Sequence, residues 1–345
     1  MRLAAVELVD QAVRQGVLER PVDVVFATSL LSAADLRAML PAGLRRVPLV
    51  LYMHENQFAY PAGEDRTAVE RDDRDVQFGL TNLTSVLAAD AVLWNSRWNR
   101  DSFLDGLEAT LRHAPDLTSS LKLGAVRDRI MQRSAVAWPP VEPPPAEVAA
   151  GVAAEGMAGT GGPADGELVG ESPPVRVVWP HRWEHDKGPD RLLALAERCT
   201  QPLNLRWTLL GQQFRRMPPA MEAFLERFAD RIDHAGYEPD RAAYWRRLAA
   251  CDWVVSTARH EFFGVAVVEA MFAGCLPWLP DELSYPELVP DVARGIRPDA
   301  PPGEAHAVRA ALAQHLARHL APARAPEAVG RIDALIEQAV AEAAS

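Results

Sequence analysis

Trp253-Val-Val-Ser256-Thr-Ala-Arg-His-Glu261-Phe-Phe-Gly264-Val-Ala-Val-Val-Glu269-Ala270 is the stretch from which the fold can be read. A short β-branched run, a polar loop and a renewed apolar run make one step of strand, loop and helix. The same step recurs along the chain. In the first half strands are expected at 22–26, 48–52, 91–95 and 135–138, with helices around 32–39, 73–88 and 98–113. In the second half strands are expected at 175–179, 205–210, 231–234, 253–256 and 276–279. Such alternation predicts parallel strands with crossover helices, and therefore an α/β protein built of doubly wound sheets.

The chain has 345 residues, 48% of them hydrophobic, enough for two full cores. Between 139 and 174 the composition turns to Pro, Ala, Gly and Glu without apolar period, which is how a solvated linker reads. The expected organisation is an N-terminal domain over 1–138, a linker or insertion over 139–174, a C-terminal domain over 175–300 and helices over 301–345. In that last segment Leu312, Leu316 and Leu320 stand at helical spacing, and breaks are expected near Pro322 and Pro326.

Several function classes are disfavoured. No run of 18 apolar residues exists and Met1 begins no basic, then apolar, leader, so a soluble cytoplasmic protein without a membrane partner is expected. Cys199, Cys251 and Cys275 are too widely spaced for a zinc site and read as buried thiols. A net charge of −11 argues against non-specific coating of nucleic acid, though not against a local basic patch for a folded RNA. Neither a Gly-x-Gly-x-x-Gly loop nor a Walker lysine loop is present, which disfavours a dehydrogenase or an NTPase.

The residues able to carry chemistry cluster at strand ends. Glu261 lies in the loop after its strand, and with a helix starting near Phe263, Glu269 stands about two turns in, on the same crevice. Gly264 would let backbone amides approach a ligand; helix N-terminal amides suit phosphate oxygens, and carboxylates suit sugar hydroxyls. The bland alternative makes Glu261 a cap and Glu269 a surface residue. Arg182 and Lys187, in Trp179-Pro-His-Arg182-Trp-Glu-His-Asp-Lys187-Gly188-Pro189, follow another strand and would supply the cations a diphosphate needs, the alternative being two ordinary surface cations, one paired to Asp186. In the first half His54, Glu55, Asn56 and Gln57 close the most apolar strand, a costly cluster to bury without a ligand. His181 and His185 match no common zinc spacing, and the Asp73-x-Asp75 pair opens a helix within a charge run that reads as a solvated face.

The pair Glu261 and Glu269 with Gly264, together with Arg182 and Lys187, resembles the signature of retaining glycosyltransferases built of two Rossmann-like domains facing a cleft, the GT-B type. More narrowly, Phe26-Ala-Thr-Ser29, Tyr52-Met-His-Glu-Asn-Gln57, Tyr60-Pro61, Ala88-Ala-Asp-Ala-Val-Leu-Trp-Asn-Ser96, Trp179 to Lys187 and Leu283-Ser-Tyr-Pro-Glu-Leu288 resemble the tRNA-queuosine mannosyltransferase family. The resemblance runs from about Val22 to Pro290 and implies GDP-mannose as donor, retention at the anomeric carbon, no metal or other cofactor, and the queuosine base of a tRNA as acceptor. By position it implies that Arg182 and Lys187 hold the diphosphate, Glu261 the donor sugar, Glu269 the ribose, and His54 the sugar from the opposite domain. Phe262, Phe263, Gly264 and Tyr237 are further donor-side candidates; Glu55, Asn56, Gln57, Asn95 and Ser96 are acceptor-side candidates. The implied reaction is departure and attack on one face of the sugar, the leaving phosphate taking the acceptor's proton. The family's first strand and a Gly-Gly-Ser-His-like loop would stand before Met1, so the N-terminal domain is expected to lack them. Two further readings stand beside this one: a glycosyltransferase with another acceptor, and an inactive relative that binds a nucleotide sugar or RNA.

Overall fold

The computed structural model describes residues 4–59, 68–112, 123–149, 174–213, 216–293, 312 and 315–344, with side chains described outside 68–76, 111–112 and 344. The chain divides into two compact units, one of 1–139 with 326–345 and one of 140–325. Among the described residues no helix is long and apolar enough to cross a membrane.

In the first unit four parallel strands lie in the order β1 (Val25–Thr28), β2 (Leu49–Met53), β3 (Ala91–Trp94) and β4 (Ser134–Val136). Every residue of β2 is buried because both faces of the sheet are covered, so the strand reads as one continuous apolar run. Leu49, Leu51 and Met53 pack on one face with Phe103, Leu104 and Leu107 of the helix Arg97–Arg112. Val50, Tyr52 and Leu93 turn to the other face. That second face is covered by Ile332, Leu335, Ile336 and Ala339 of the helix Ala325–Ala344, so the chain's last described segment completes the first unit's core. The break expected near Pro322 and Pro326 falls at the 3-10 turn Ala321–Ala323 just before this helix, and Pro326 stands at the helix start. It sits in the first turn, where its missing N–H has no intrahelical partner to lose. The helices Ala4–Arg14 and Leu123–Gln132 had no counterpart in the reading of the sequence.

In the second unit five parallel strands lie in the order β7 (Ile232–Gly236), β6 (Leu205–Leu210), β5 (Val175–Pro180), β8 (Trp253–Val255) and β9 (Leu276–Trp278). Strand order reverses between β5 and β8, which makes their carboxyl ends the switch point where doubly wound sheets open a crevice. Trp179 and Trp207 fill the core, and each indole N–H is satisfied, by Thr257 Oγ1 and by Thr200 Oγ1, both at 3.0 Å. Of the stretch 139–174 expected as a solvated linker, 150–173 lie outside the described residues. Val141 within it is buried: its N–H donates to Ala323 O at 2.8 Å, and its carbonyl accepts from Ala325 N at 2.9 Å.

Candidate active site

Two loops cross at the switch point, 181–188 after β5 and 256–264 after β8. Asp186 O accepts from Arg259 N at 2.8 Å and His260 N at 3.2 Å, while Thr257 Oγ1 donates to Lys187 O at 3.0 Å. Gly188 makes the crossing possible. Its φ of 66° is left-handed, and a Cβ there would lie 2.1 Å from Thr257 O. Directly after it, Pro189 opens the helix Pro189–Cys199, whose Asp190 takes both guanidinium nitrogens of Arg259 at 2.7 and 2.5 Å.

Lys187 is buried at the centre of the crossing. Its ammonium reaches His260 O at 3.0 Å, Asp186 Oδ2 at 3.1 Å and Glu261 Oε2 at 3.2 Å. Burial works against that charge, but Glu261 and Asp186 outweigh it and hold the ammonium pKa above its ordinary value. In this state Lys187 is already committed to three oxygens. Arg182 is placed differently: half its side chain is exposed, with Glu184 Oε2 at 3.2 Å.

Beneath the loops His181 Nε2 bonds Ser256 Oγ at 2.9 Å, and Ser256 Oγ bonds the Tyr285 hydroxyl at 2.6 Å. Burial first, then Lys187 and Arg182, push the His181 pKa down to about 3, so the ring is neutral. His260, edge-on to Phe262 with centroids 4.2 Å apart, is pushed down to about 4 by burial and Lys187, against Asp186. Among the described residues no three His, Cys, Asp or Glu side chains group as a metal site; the side chains of Asp73 and Asp75 lie outside them.

The helix expected near Phe263 begins at Val265 and ends at Phe272, which puts Glu269 a little over one turn in rather than two. Gly264 precedes it with φ 93°, a left-handed conformation that favours glycine, and its Cα side faces Glu261 Cγ and Tyr285 Cε1, each 3.4 Å from where a Cβ would stand. Phe262 and Phe263 are buried under the loop. Glu269 is 8% exposed and both its oxygens are held: Oε1 by Arg241 Nη2 at 2.5 Å, Oε2 by the Tyr244 hydroxyl at 2.8 Å. Tyr237, just after β7, is 65% exposed. The second unit therefore brings Arg182, Lys187, Glu261 and Gly264 to one pair of loops, with Glu269 on the helix that follows.

In the first unit the expected polar cluster ends β2. His54 keeps part of its surface in solvent, but its ring lies 4.7 Å from that of Tyr52, and this partial desolvation lowers its pKa. Its backbone N–H and that of Glu55 reach Ser29 Oγ at 3.2 and 3.4 Å, and Gln57 Nε2 donates to Glu55 Oε1 at 3.3 Å. Asn56, Asn95 and Ser96 are buried, and the cost expected for burying Asn56 is met within the protein, because the three are satisfied through Asn99. Asn56 Nδ2 donates to Asn99 Oδ1 at 2.8 Å, Asn99 Nδ2 to Asn95 Oδ1 at 2.7 Å, and Asn99 N to Ser96 Oγ at 2.9 Å. Asn95 Nδ2 then donates to His54 O at 2.7 Å, so the network fixes the loop that carries His54.

Sequence reasoning missed Asn99, Ser256, Arg241 and Tyr244. A polar residue one helical turn after Asn95 was the available signal for Asn99; nothing in the spacing ties Arg241 or Tyr244 to Glu269.

Comparison with known proteins bears on the family and the fold. Residues 1–141 match a family model described as tRNA-queuosine alpha-mannosyltransferase N-terminal, and 170–323 match one described as glycosyl transferases group 1. A tRNA-queuosine alpha-mannosyltransferase of Drosophila melanogaster is 35% identical over 272 residues, 77% of this chain and 66% of the relative. The chain thus spans just under two thirds of that relative's length. Among solved structures, a UDP-forming alpha,alpha-trehalose-phosphate synthase from Burkholderia vietnamiensis matches with TM-score 0.61 at 14% identity, covering 97% of this chain and 76% of that one. The catalytic domain of starch synthase IV from Arabidopsis thaliana, bound to ADP and acarbose, matches with TM-score 0.60 at 13% identity, covering 98% and 76%. At such identities the likeness carries the fold alone: two Rossmann-like domains of the GT-B type.

Proposed function

Because this chain belongs to the tRNA-queuosine alpha-mannosyltransferase family, we propose that it transfers mannose from GDP-mannose to the queuosine base of tRNA, in the cytoplasm and with retention at the anomeric carbon. The observation that supports this reading most is the crossing of the two switch-point loops, which sets cations and carboxylates beside a helix N-terminus. Arg182 meets the diphosphate with forked hydrogen bonds, and the first-turn amides of Val265–Phe272 face its oxygens. Lys187 supplies charge from below, shared with Asp186 and Glu261. Glu261 accepts from hydroxyls of the donor sugar and Glu269 from those of the ribose.

No cofactor or metal enters the proposed step. The bond between the anomeric carbon and the β-phosphate oxygen breaks, and a bond from the acceptor hydroxyl oxygen forms on the same face. The hydroxyl's proton passes to the departing phosphate oxygen, leaving GDP and the mannosylated base. The protein's contribution is placement and positive charge where negative charge gathers on the leaving group.

The test is to incubate the protein with GDP-mannose and matched tRNAs carrying or lacking queuosine, then digest and weigh the nucleosides. A hexose added to queuosine alone is the expected result. Hexose on the unmodified tRNA, or transfer only to a small sugar or lipid, would overturn the acceptor.

A further inference from the structure

Glu269 is the most enclosed of the carboxylates at this site, and its surroundings are built by a helix that the loops do not contain. Arg241 and Tyr244 stand three positions apart on the helix Arg241–Ala249, so both side chains project from one face. Arg241 Nη2 takes Glu269 Oε1 at 2.5 Å, and the Tyr244 hydroxyl takes Oε2 at 2.8 Å. The guanidinium is itself fixed from the side: it lies 5.1 Å from the Tyr244 ring centroid and 5.0 Å from that of buried Trp245. The helix start is fixed too, by Asp240 Oδ1 accepting from Ala242 N at 3.0 Å.

Two donors, one on each oxygen, set the plane of the carboxylate and leave one lone pair on each oxygen for a further donor. A monodentate ion pair would allow rotation; this arrangement does not. Two oxygens in a fixed plane with an unused lone pair each are matched by a vicinal diol, which offers two hydroxyls at a fixed separation. Burial raises the Tyr244 pKa, with Glu269 adding to the effect, so the hydroxyl remains a donor at every working pH.

We propose that Arg241 and Tyr244 are positioning residues that aim Glu269 at the ribose diol of the nucleotide, and so set the site's preference for a ribonucleotide over a deoxynucleotide. The inference rests on the reading of Glu269 as the ribose contact.

Calorimetry on the full chain with GDP and with 2′,3′-dideoxy-GDP separates this from a merely structural role. In the parent protein GDP binds more tightly. In Arg241→Met the GDP affinity is expected to fall about tenfold, and in Tyr244→Phe about threefold, while the dideoxy affinity shifts less than about twofold in either. Loss of packing alone would weaken both nucleotides together. Where Arg241→Met fails to fold, Tyr244→Phe decides, since it removes one hydroxyl and keeps the ring. An unchanged ratio of the two affinities in the folded variants overturns the inference. A parent protein that binds GDP and dideoxy-GDP equally overturns the ribose reading beneath it, and one that binds neither overturns the donor site as a whole.

Discussion

Lys187 Nζ and Glu261 Oε2 lie 3.2 Å apart, joining the loop after β5 to the loop after β8 across the point where strand order reverses. The pair couples the cation expected at the diphosphate to the carboxylate expected at the sugar, so neither can be altered without the other feeling it. Asp186 at 3.1 Å keeps Lys187 from standing alone if Glu261 changes.

Glu261→Gln therefore has a two-sided expected outcome. Turnover falls at least about tenfold, because the charge matters most as positive charge develops on the sugar. GDP affinity holds or rises, since one of the two anions neutralising Lys187 is gone. Glu269→Gln acts the other way, weakening the donor with smaller loss of turnover. Steady-state kinetics with calorimetry on both variants check this, and identical signatures would defeat the division of roles.

Arg182→Ala is expected to lose about tenfold to 150-fold in GDP affinity, the range for a charge-assisted hydrogen bond. Since half the side chain is exposed, the melting temperature should barely move. Unchanged affinity in the folded variant would place the diphosphate elsewhere.

Gly188→Ala tests the crossing itself. The added Cβ would sit 2.1 Å from the Thr257 carbonyl oxygen at a φ of 66°, so backbone must move. Thermal unfolding is expected to drop, with GDP binding lost along with it; a variant as stable and as tight as the parent would mean the loops do not meet as described.

Acid should loosen the second unit before carboxylates titrate. His181 and His260 have folded pKa values pushed down to about 3 and about 4, below the ordinary value near 6.5. Between those limits the unfolded chain binds more protons, so the stability present above pH 6.5 is lost as pH falls, by about 1.4 kcal/mol per pH unit for each ring. Denaturant titrations from pH 7 to pH 4.5 measure the slope, and His181→Gln should flatten it.

Chelation gives a last check. With donor binding carried by Arg182, Lys187 and helix amides, EDTA is expected to leave GDP affinity and turnover unchanged. Strict dependence on magnesium or manganese would move attention to Asp73 and Asp75.

The strands and the loops between them were legible because strand, polar loop and helix leave short-range marks: β-branched runs, Gly188, Pro189 and Gly264. That is why Arg182, Lys187 and Glu261 could be named before any coordinate. Long-range pairings leave none. Nothing near Glu269 points to Arg241 or Tyr244, which stand 28 and 25 positions earlier. The asparagine network was hidden for a related reason: Asn99, whose side chain accepts from Asn56, stands 43 positions on. The break near Pro322 and Pro326 was legible for the same short-range reason as the strands: a 3-10 turn holds Pro322, and Pro326 opens the helix that follows.

The helix Ala325–Ala344 covers the face of the first sheet formed by Val50, Tyr52 and Leu93. A chain emerging from the ribosome presents those side chains long before their cover has been synthesised. The stretch 140–325 is continuous and can close its core first, whereas the unit begun earliest is finished last, after 325–344 leave the exit tunnel. During that interval the bare face is a natural client for chaperones that hold nascent apolar surface.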